Sequence, residues 1–152
     1  MGTSLIMMRV LLFPGLILQS VLAGCNNWDQ FGDSCYLFNE TSIIWMQAMW
    51  SCYESGGWIV QIDSQDEDNF IVGLMKARYV DTVWTGGFAT AHWQWMPSFI
   101  RIKEYTNWSQ GQPDNAEGKE GCLSISKFSH YKWNDEACGN RHPFVCEKSA
   151  NS

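Results

Sequence analysis

Basic residues and histidine are in short supply in this chain. Ten Lys and Arg and three His stand against sixteen Asp and Glu among 152 residues. With a formal net charge of −6 and no basic cluster, the sequence lacks the electrostatic footprint of a nucleic-acid or anionic-membrane binder. His92, His130 and His142 do not repeat at metal-ligand spacing, and no two cysteines form a Cys-x-x-Cys pair, so a zinc site is not indicated. No Ser or Cys stands beside a His base in a recognisable nucleophile motif, so the chain does not read as an enzyme. There is no apolar run of the ~20 residues that a membrane-spanning helix requires. Internal repeats and low-complexity linkers are also missing.

The longest apolar stretch is N-terminal. Arg9 supplies a positive flank, Val10 to Leu18 is almost wholly apolar, and Val21-Leu22-Ala23 ends on the small residue expected before cleavage. Residues 1–23 are therefore expected to be a secretory signal peptide, with 24–152 as one mature extracellular domain. Pro14 and Gly15 interrupt the run and argue against an anchor. Losing Arg9 would take the charge to about −7. Six cysteines remain, an even number in an exported chain, which predicts three disulfides but leaves their pairing open. Nine Trp, eight Phe and five Tyr are a heavy aromatic load, expected mostly in the core.

Along the chain, Ser34 to Phe38 alternates as a strand, with Tyr36 and Phe38 on one face. Asn39-Glu40-Thr41 is a glycosylation sequon. Thr41 or Ser42 can cap a helix whose inner face is Ile44, Trp45, Ala48, Met49 and Cys52, ended by Gly56-Gly57. Trp58 to Ile62 reads as a buried strand. Ser64-x-x-Glu67 predicts a capping box opening a second helix through Phe70, Ile71, Leu74 and Met75. Asp66, Glu67 and Asp68 fall in its first turn, where they suit the helix dipole. Trp93-Gln94-Trp95, Leu123 to Ser126 and Phe144 to Glu147 read as further strands, while Met96 to Gly121 has little periodicity. A loop of that length is usually functional.

Its last part is rich in oxygen donors: Gln112-Pro113-Asp114 and Glu120 before Cys122, answered downstream by Trp133-Asn134-Asp135. Brought together, Gln112, Asp114, Glu120, Asn134 and Asp135 supply amide and carboxylate oxygens around one hard cation. Three carboxylates that close would repel without a divalent ion. Calcium, which takes about six to eight oxygen ligands, is the candidate cofactor.

These residues carry a family resemblance. From Cys25 to Glu147 the chain resembles a C-type lectin domain. The resemblance rests on Trp45-x-x-Ala48-x-x-x-Cys52, Gly56-Gly57-Trp58-Ile59-Val60, Ser64-x-x-Glu67, Trp84-Thr85-Gly86, Trp93-x-Trp95 and Tyr105-Thr106-Asn107-Trp108. It continues through Gln112-Pro113-Asp114, Glu120-x-Cys122, Trp133-Asn134-Asp135-x-x-Cys138 and Phe144-Val145-Cys146-Glu147. The resemblance implies an α+β fold, two helices on a mixed, mostly antiparallel sheet with a long calcium-binding loop. It implies the pairings Cys25–Cys35, Cys52–Cys146 and Cys122–Cys138. It also implies one calcium site, held by Gln112, Asp114, Glu120, Asn134 and Asp135, which would bind the sugar as well. A cis peptide before Pro113 and a core-supporting Trp133 come with the same resemblance.

In such domains the order Gln-Pro-Asp goes with galactose-type sugars and Glu-Pro-Asn with mannose-type ones. The expected ligand is thus a glycan ending in galactose or N-acetylgalactosamine. Galactose binders of the family usually place a stacking Trp just past this motif. Here Ala116 stands there, in a short loop, so any stacking falls to Tyr131, His130 or Trp108 and specificity should relax to admit mannose. A second calcium is not expected: Phe88 to His92 has no acid, and Gly121 replaces one. Asn107-Trp108-Ser109 is a sequon too, expected unglycosylated because Trp108 looks buried. The function these features imply is agglutination or innate recognition of microbial surface polysaccharides, in a homo-oligomer that multiplies a weak site. The competing reading is a matrix or inhibitory protein on the same scaffold that binds no sugar.

Overall fold

The computed structural model describes residues 24–151. The expected signal peptide, residues 1–23, lies outside the described residues. The alternation at Ser34 to Phe38 opens strand β2 (Ser34–Ile43), which forms a hairpin with β1 (Asp29–Phe31) and buries Cys35, Tyr36 and Phe38. Here the structure corrects one expectation. Thr41 and Ser42 lie inside β2, and helix α1 (Trp45–Glu54) begins after Ile44 with no side-chain cap. The orphan amide of Trp45 instead donates to Cys138 O at 3.1 Å, a distant carbonyl doing what a local hydroxyl usually does.

Of the expected inner face of α1, Trp45, Ala48 and Cys52 are buried, Met49 is half-buried, and Ile44 is the residue before the helix. Gly56 (φ +80°) turns the chain out of the helix, and at Gly57 a Cβ would stand 2.6 Å from Glu147 O, so only glycine fits. Strand β3 is shorter than expected, Trp58–Ile59, although Val60 and Ile62 are buried beyond it. Trp58 itself is half-exposed, which corrects its reading as buried. Helix α2 (Gln65–Ala77) starts at Ser64, whose Oγ accepts from Glu67 N at 3.2 Å. The return bond of the capping box is displaced by one residue: Glu67 Oε2 accepts from Asp63 N at 2.9 Å, while its Oε1 accepts from the Tyr36 hydroxyl at 2.7 Å.

The remaining strands are β4 (Thr82–Ala89), β5 (Trp93–Trp95), β6 (Cys122–Ser126), β7 (Lys132–Glu136) and β8 (His142–Ser149). The sheet runs β1-β2-β8-β4-β6-β7, with β3 on β8 and β5 on β4; among the strands of the described residues only β4 and β8 run parallel. The fold is therefore α+β with a mixed, mostly antiparallel sheet. One core packs Ile71 and Met75 of α2 against Val60, Ile62, Leu123, Ile125 and Trp133. A second packs Trp45, Ala48 and Cys52 of α1 against Ile59, Trp84 and Phe144. Disulfides join Cys25 to Cys35, Cys52 to Cys146 and Cys122 to Cys138. No helix among the described residues is long and apolar enough to cross a membrane.

Candidate metal and ligand site

Strand β7 pairs with β6 so that Asp135 faces Leu123 and Glu136 faces Cys122, just before the Cys122–Cys138 bridge. This register fixes Asp135, fully buried, under the loop that precedes β6. Its carboxylate gathers that loop: Oδ1 accepts from Asp114 N at 3.2 Å and Oδ2 from Asn115 N at 2.8 Å. The loop then curls on itself through left-handed conformations at Asn115, Glu117 and Gly118. Asn115 Oδ1 accepts from Glu120 N at 3.0 Å, and Glu120 Oε2 accepts from Ala116 N at 3.0 Å.

The result is that carboxylate oxygens of Asp114, Glu120 and Asp135 all lie within 4.8 Å of one another. Gln112 joins the same turn through its Oε1, which accepts from Asp114 N at 3.0 Å, and the Gln112–Pro113 peptide is cis. Asn134 precedes Asp135 in β7 and donates its amide nitrogen to Asp135 O at 2.7 Å, a bond that does not consume its amide oxygen. Burial pushes the Glu120 carboxyl up from its ordinary value, and the charges of Asp135 and Asp114 push it further, against the Ala116 N–H. Among the described residues no cationic side chain pairs with the three acids; Lys119, next to Glu120, pairs with Glu117 at 2.7 Å. A concentrated, uncompensated set of hard oxygens fits calcium by charge and donor type.

A groove of about 260 Å³ opens beside these acids. Pro113, Asn115, Glu120 and Asp135 form one side, and Ala89 to Trp93, the turn between β4 and β5, form the other. Ala89 N donates to Gly121 O at 2.9 Å, which holds this turn beside the loop. His92 and Trp93 are thus the aromatic residues at the site, and reading the sequence missed them. The β4–β5 hairpin, visible as Gly86-Gly87 followed by Trp93-x-Trp95, was the available signal.

The three candidates for stacking lie elsewhere. His130 and Tyr131 sit in the turn before Lys132, at the opposite end of β7 from Asp135, and line a different groove with Lys76 and Lys132. Trp108 is packing: its ring meets Trp93 at 4.8 Å and Trp133 at 5.7 Å, edge to face. Trp133 is fully buried and also meets Trp95 and Tyr105 edge-on, the supporting role the resemblance implied.

Asp68 lies in the first turn of α2 as expected, and it has a further role there. It follows the i, i+3, i+7 spacing of Ile71 and Met75, so it faces the core and is 1% exposed. Its Oδ2 accepts from the Tyr105 hydroxyl at 2.8 Å and from Asn107 Nδ2 at 2.7 Å. Burial raises the Asp68 carboxyl, with the bonds from Asn107 and Tyr105 opposing it. Asn107 O in turn accepts from Trp133 N, and Trp133 O accepts from Ser109 N. Helix α2 therefore braces the long loop and, through it, the strand that carries Asp135.

Fold, disulfides and loop together define a C-type lectin domain. The Lectin C-type domain family profile matches residues 41–148, and the chain belongs to that family. Ladderlectin of Oncorhynchus mykiss is 36% identical over 119 residues, spanning 76% of this chain and 63% of that protein. The chain thus covers less than two thirds of that relative's length. The solved SPL-1–GlcNAc complex superposes with a TM-score of 0.72 at 30% identity, over 80% of this chain and 91% of that one. Herring type II antifreeze protein superposes equally, with a TM-score of 0.72 at 29% identity over 81% of this chain and 96% of that one.

Proposed function

We propose that this domain is a secreted, calcium-dependent glycan-binding lectin. The observation that carries the reading is the convergence of Asp114, Glu120 and Asp135 within 4.8 Å at the edge of an open groove. In this reading one calcium is held by Gln112, Asp114, Glu120, Asn134 and Asp135. The ion supplies coordination positions for the lone pairs of two neighbouring sugar hydroxyls. The chain supplies the rest: carboxylates accept the hydroxyl protons, and the amides of Gln112 and Asn134 donate N–H groups. His92 and Trp93 offer the sugar's apolar face a wall across the groove, the contribution that Ala116 does not make.

Gln112 before Pro113 and Asp114 supports galactose or N-acetylgalactosamine as the preferred terminal sugar, with mannose admitted more weakly. SPL-1, solved with GlcNAc, supports a saccharide as the ligand class. Microbial surface glycans are the proposed targets, bound without chemical conversion. Asn39, half-buried in β2, is the proposed glycosylation site. Asn107 is not, because the nitrogen a glycan would take is held by Asp68 at 2.7 Å.

A glycan array probed with and without calcium tests the proposal. Binding to galactose-terminated structures that vanishes with a chelator is expected; binding that survives chelation overturns the site. The likeness to herring type II antifreeze protein favours a second reading, a protein of this fold that recognises a surface other than sugar. An array silent in calcium, with calcium itself bound, would select it.

A further inference from the structure

Helix α1 reads Trp-Met-Gln-Ala-Met-Trp-Ser-Cys-Tyr-Glu and carries one charged side chain, Glu54. Its inner face is spent on the core by Trp45, Ala48 and Cys52. Its outer face should then be polar, and it is not. Met46 is 57% exposed, Trp50 57% and Tyr53 56%, and Trp58 of β3 adds 47% beside them. The three aromatic rings form a ladder, Trp50 to Tyr53 at 5.5 Å and Tyr53 to Trp58 at 5.8 Å. A helix apolar on both faces belongs in an interior, and a contiguous exposed apolar patch marks an interaction surface.

We infer that this face is the contact through which two copies of the chain associate, with Trp50 of each copy seated in a groove of the other. Trp50 is a wall shared by two hollows. One, about 190 Å³, is almost entirely apolar and is completed by Tyr53, Trp58, Met96 and Pro97. The other, about 350 Å³, lies along Met46, Gln47 and Glu54. A two-fold contact requires one surface to present both knob and hole, and this surface does.

Charge selects the same occupant. Two mature copies at about −7 each repel wherever their acids face one another, and α1 brings only one charge, Glu54, to this face. The same net charge disfavours an anionic bilayer. Area limits the contact. Half of ~200 Å² for each of four side chains, on both copies, removes about 800 Å². Met49, Met96 and Pro97 at the groove wall bring this towards the ~1,200 Å² of the smallest specific interfaces. A contact of this size belongs with the weak, transient associations, and a Kd on the order of micromolar is the expectation. It joins two domains without using any residue of the calcium site, and so supplies the bivalency that weak glycan binding needs.

Sedimentation velocity of the purified chain from about 1 to 200 µM tests this, spanning the expected Kd. The wild type should pass from monomer to dimer over that range, with or without calcium. Trp50→Ser should weaken dimerisation by at least about tenfold, as loss of a central aromatic anchor does, with an unchanged circular dichroism spectrum. Tyr53→Ser is the second variant should the first not fold. A wild type that stays monomeric throughout overturns the inference, as does a dimer indifferent to both substitutions. Co-sedimentation of a monomer with phosphatidylcholine vesicles, or capture of a different protein by a chain that remains monomeric, also overturns it.

Discussion

Asn115 donates its backbone N–H to Asp135 Oδ2 at 2.8 Å, across a sequence gap of 20 residues. With the Asp114 N–H on Oδ1, the Asp135 carboxylate ties the loop to β7 before any ion is considered. Asp114 has no such duty: its side chain is exposed and contributes charge. The two acids should therefore differ on substitution. Asp135→Ala should cost about 3 kcal/mol of stability, from two hydrogen bonds to a charged, buried acceptor. In chelator, where neither variant can lose an ion, Asp114→Ala should stay within about 0.5 kcal/mol, as surface changes do. Both should abolish calcium-dependent glycan binding. Urea unfolding beside calorimetric titration separates the effects; equal stability losses would contradict the division of roles.

Calcium removal should soften the whole domain. An ion bound only by the native state stabilises it by about 2.7 kcal/mol at a hundredfold excess over its Kd. For a domain of this size that corresponds to a melting-point drop of roughly 5–10 °C on chelation. Scanning calorimetry in calcium and then in chelator measures it. An unchanged transition would mean that the three acids within 4.8 Å hold no ion.

What was legible in the sequence was local. Period-2 alternation at Ser34 to Phe38 and the inner faces of α1 and α2 were readable because each is set by neighbours along the chain. The oxygen-rich pieces Gln112 to Glu120 and Asn134-Asp135 stood out by composition. What was hidden depends on pairing between distant segments. Asp68 looks identical to any acid in a first helical turn until Tyr105 and Asn107 fold over it. His92 and Trp93 reach the site because β5 folds back on β4 and the turn is bonded to Gly121. Thr41 and Ser42 lost their capping role when β2 extended through them.

The hidden Asp68 leads to a test of coupling between the core and the site. Asp68→Ala would leave the Tyr105 hydroxyl and the Asn107 amide without their acceptor, costing about 3 kcal/mol. Asp68→Asn keeps one acceptor oxygen and should cost roughly half as much. Because Asn107 O holds Trp133 N, next to Asn134 and Asp135, Asp68→Asn should also weaken calcium binding several-fold at a temperature where the variant remains folded. Calcium affinity equal to wild type would show that α2 braces the loop without positioning the ligands.

The calcium-free protein should be most stable on the acid side of neutrality, because of Glu67. Burial pushes its carboxyl from 4.5 up to about 7, against the bonds from Asp63 N and Tyr36, and the charges of Glu147 and Asp63 push it further. Burial raises Glu147 in the same direction. The unfolded chain releases the Glu67 proton near 4.5 and the folded chain near 7, so between those values the folded state binds more protons. Stability must then fall as pH rises through that window. Glu136 acts with the opposite sign. Burial would raise it, but bonds from His142, Asn140 and Ser124 outweigh burial and hold it below its ordinary value. Its contribution is lost only in more acidic solution, as pH drops through its lowered folded value. In chelator, melting points should therefore decline from pH 5 to pH 7.5, and Glu67→Gln, which keeps an acceptor for Tyr36, should flatten the decline. Saturating calcium should oppose the trend, because protonation of Glu120, whose carboxyl burial raises, competes with the ion. A Glu67→Gln profile as steep as the wild type would place the cost of burial on the other raised carboxyls, Glu147, Asp68 and Glu120, instead.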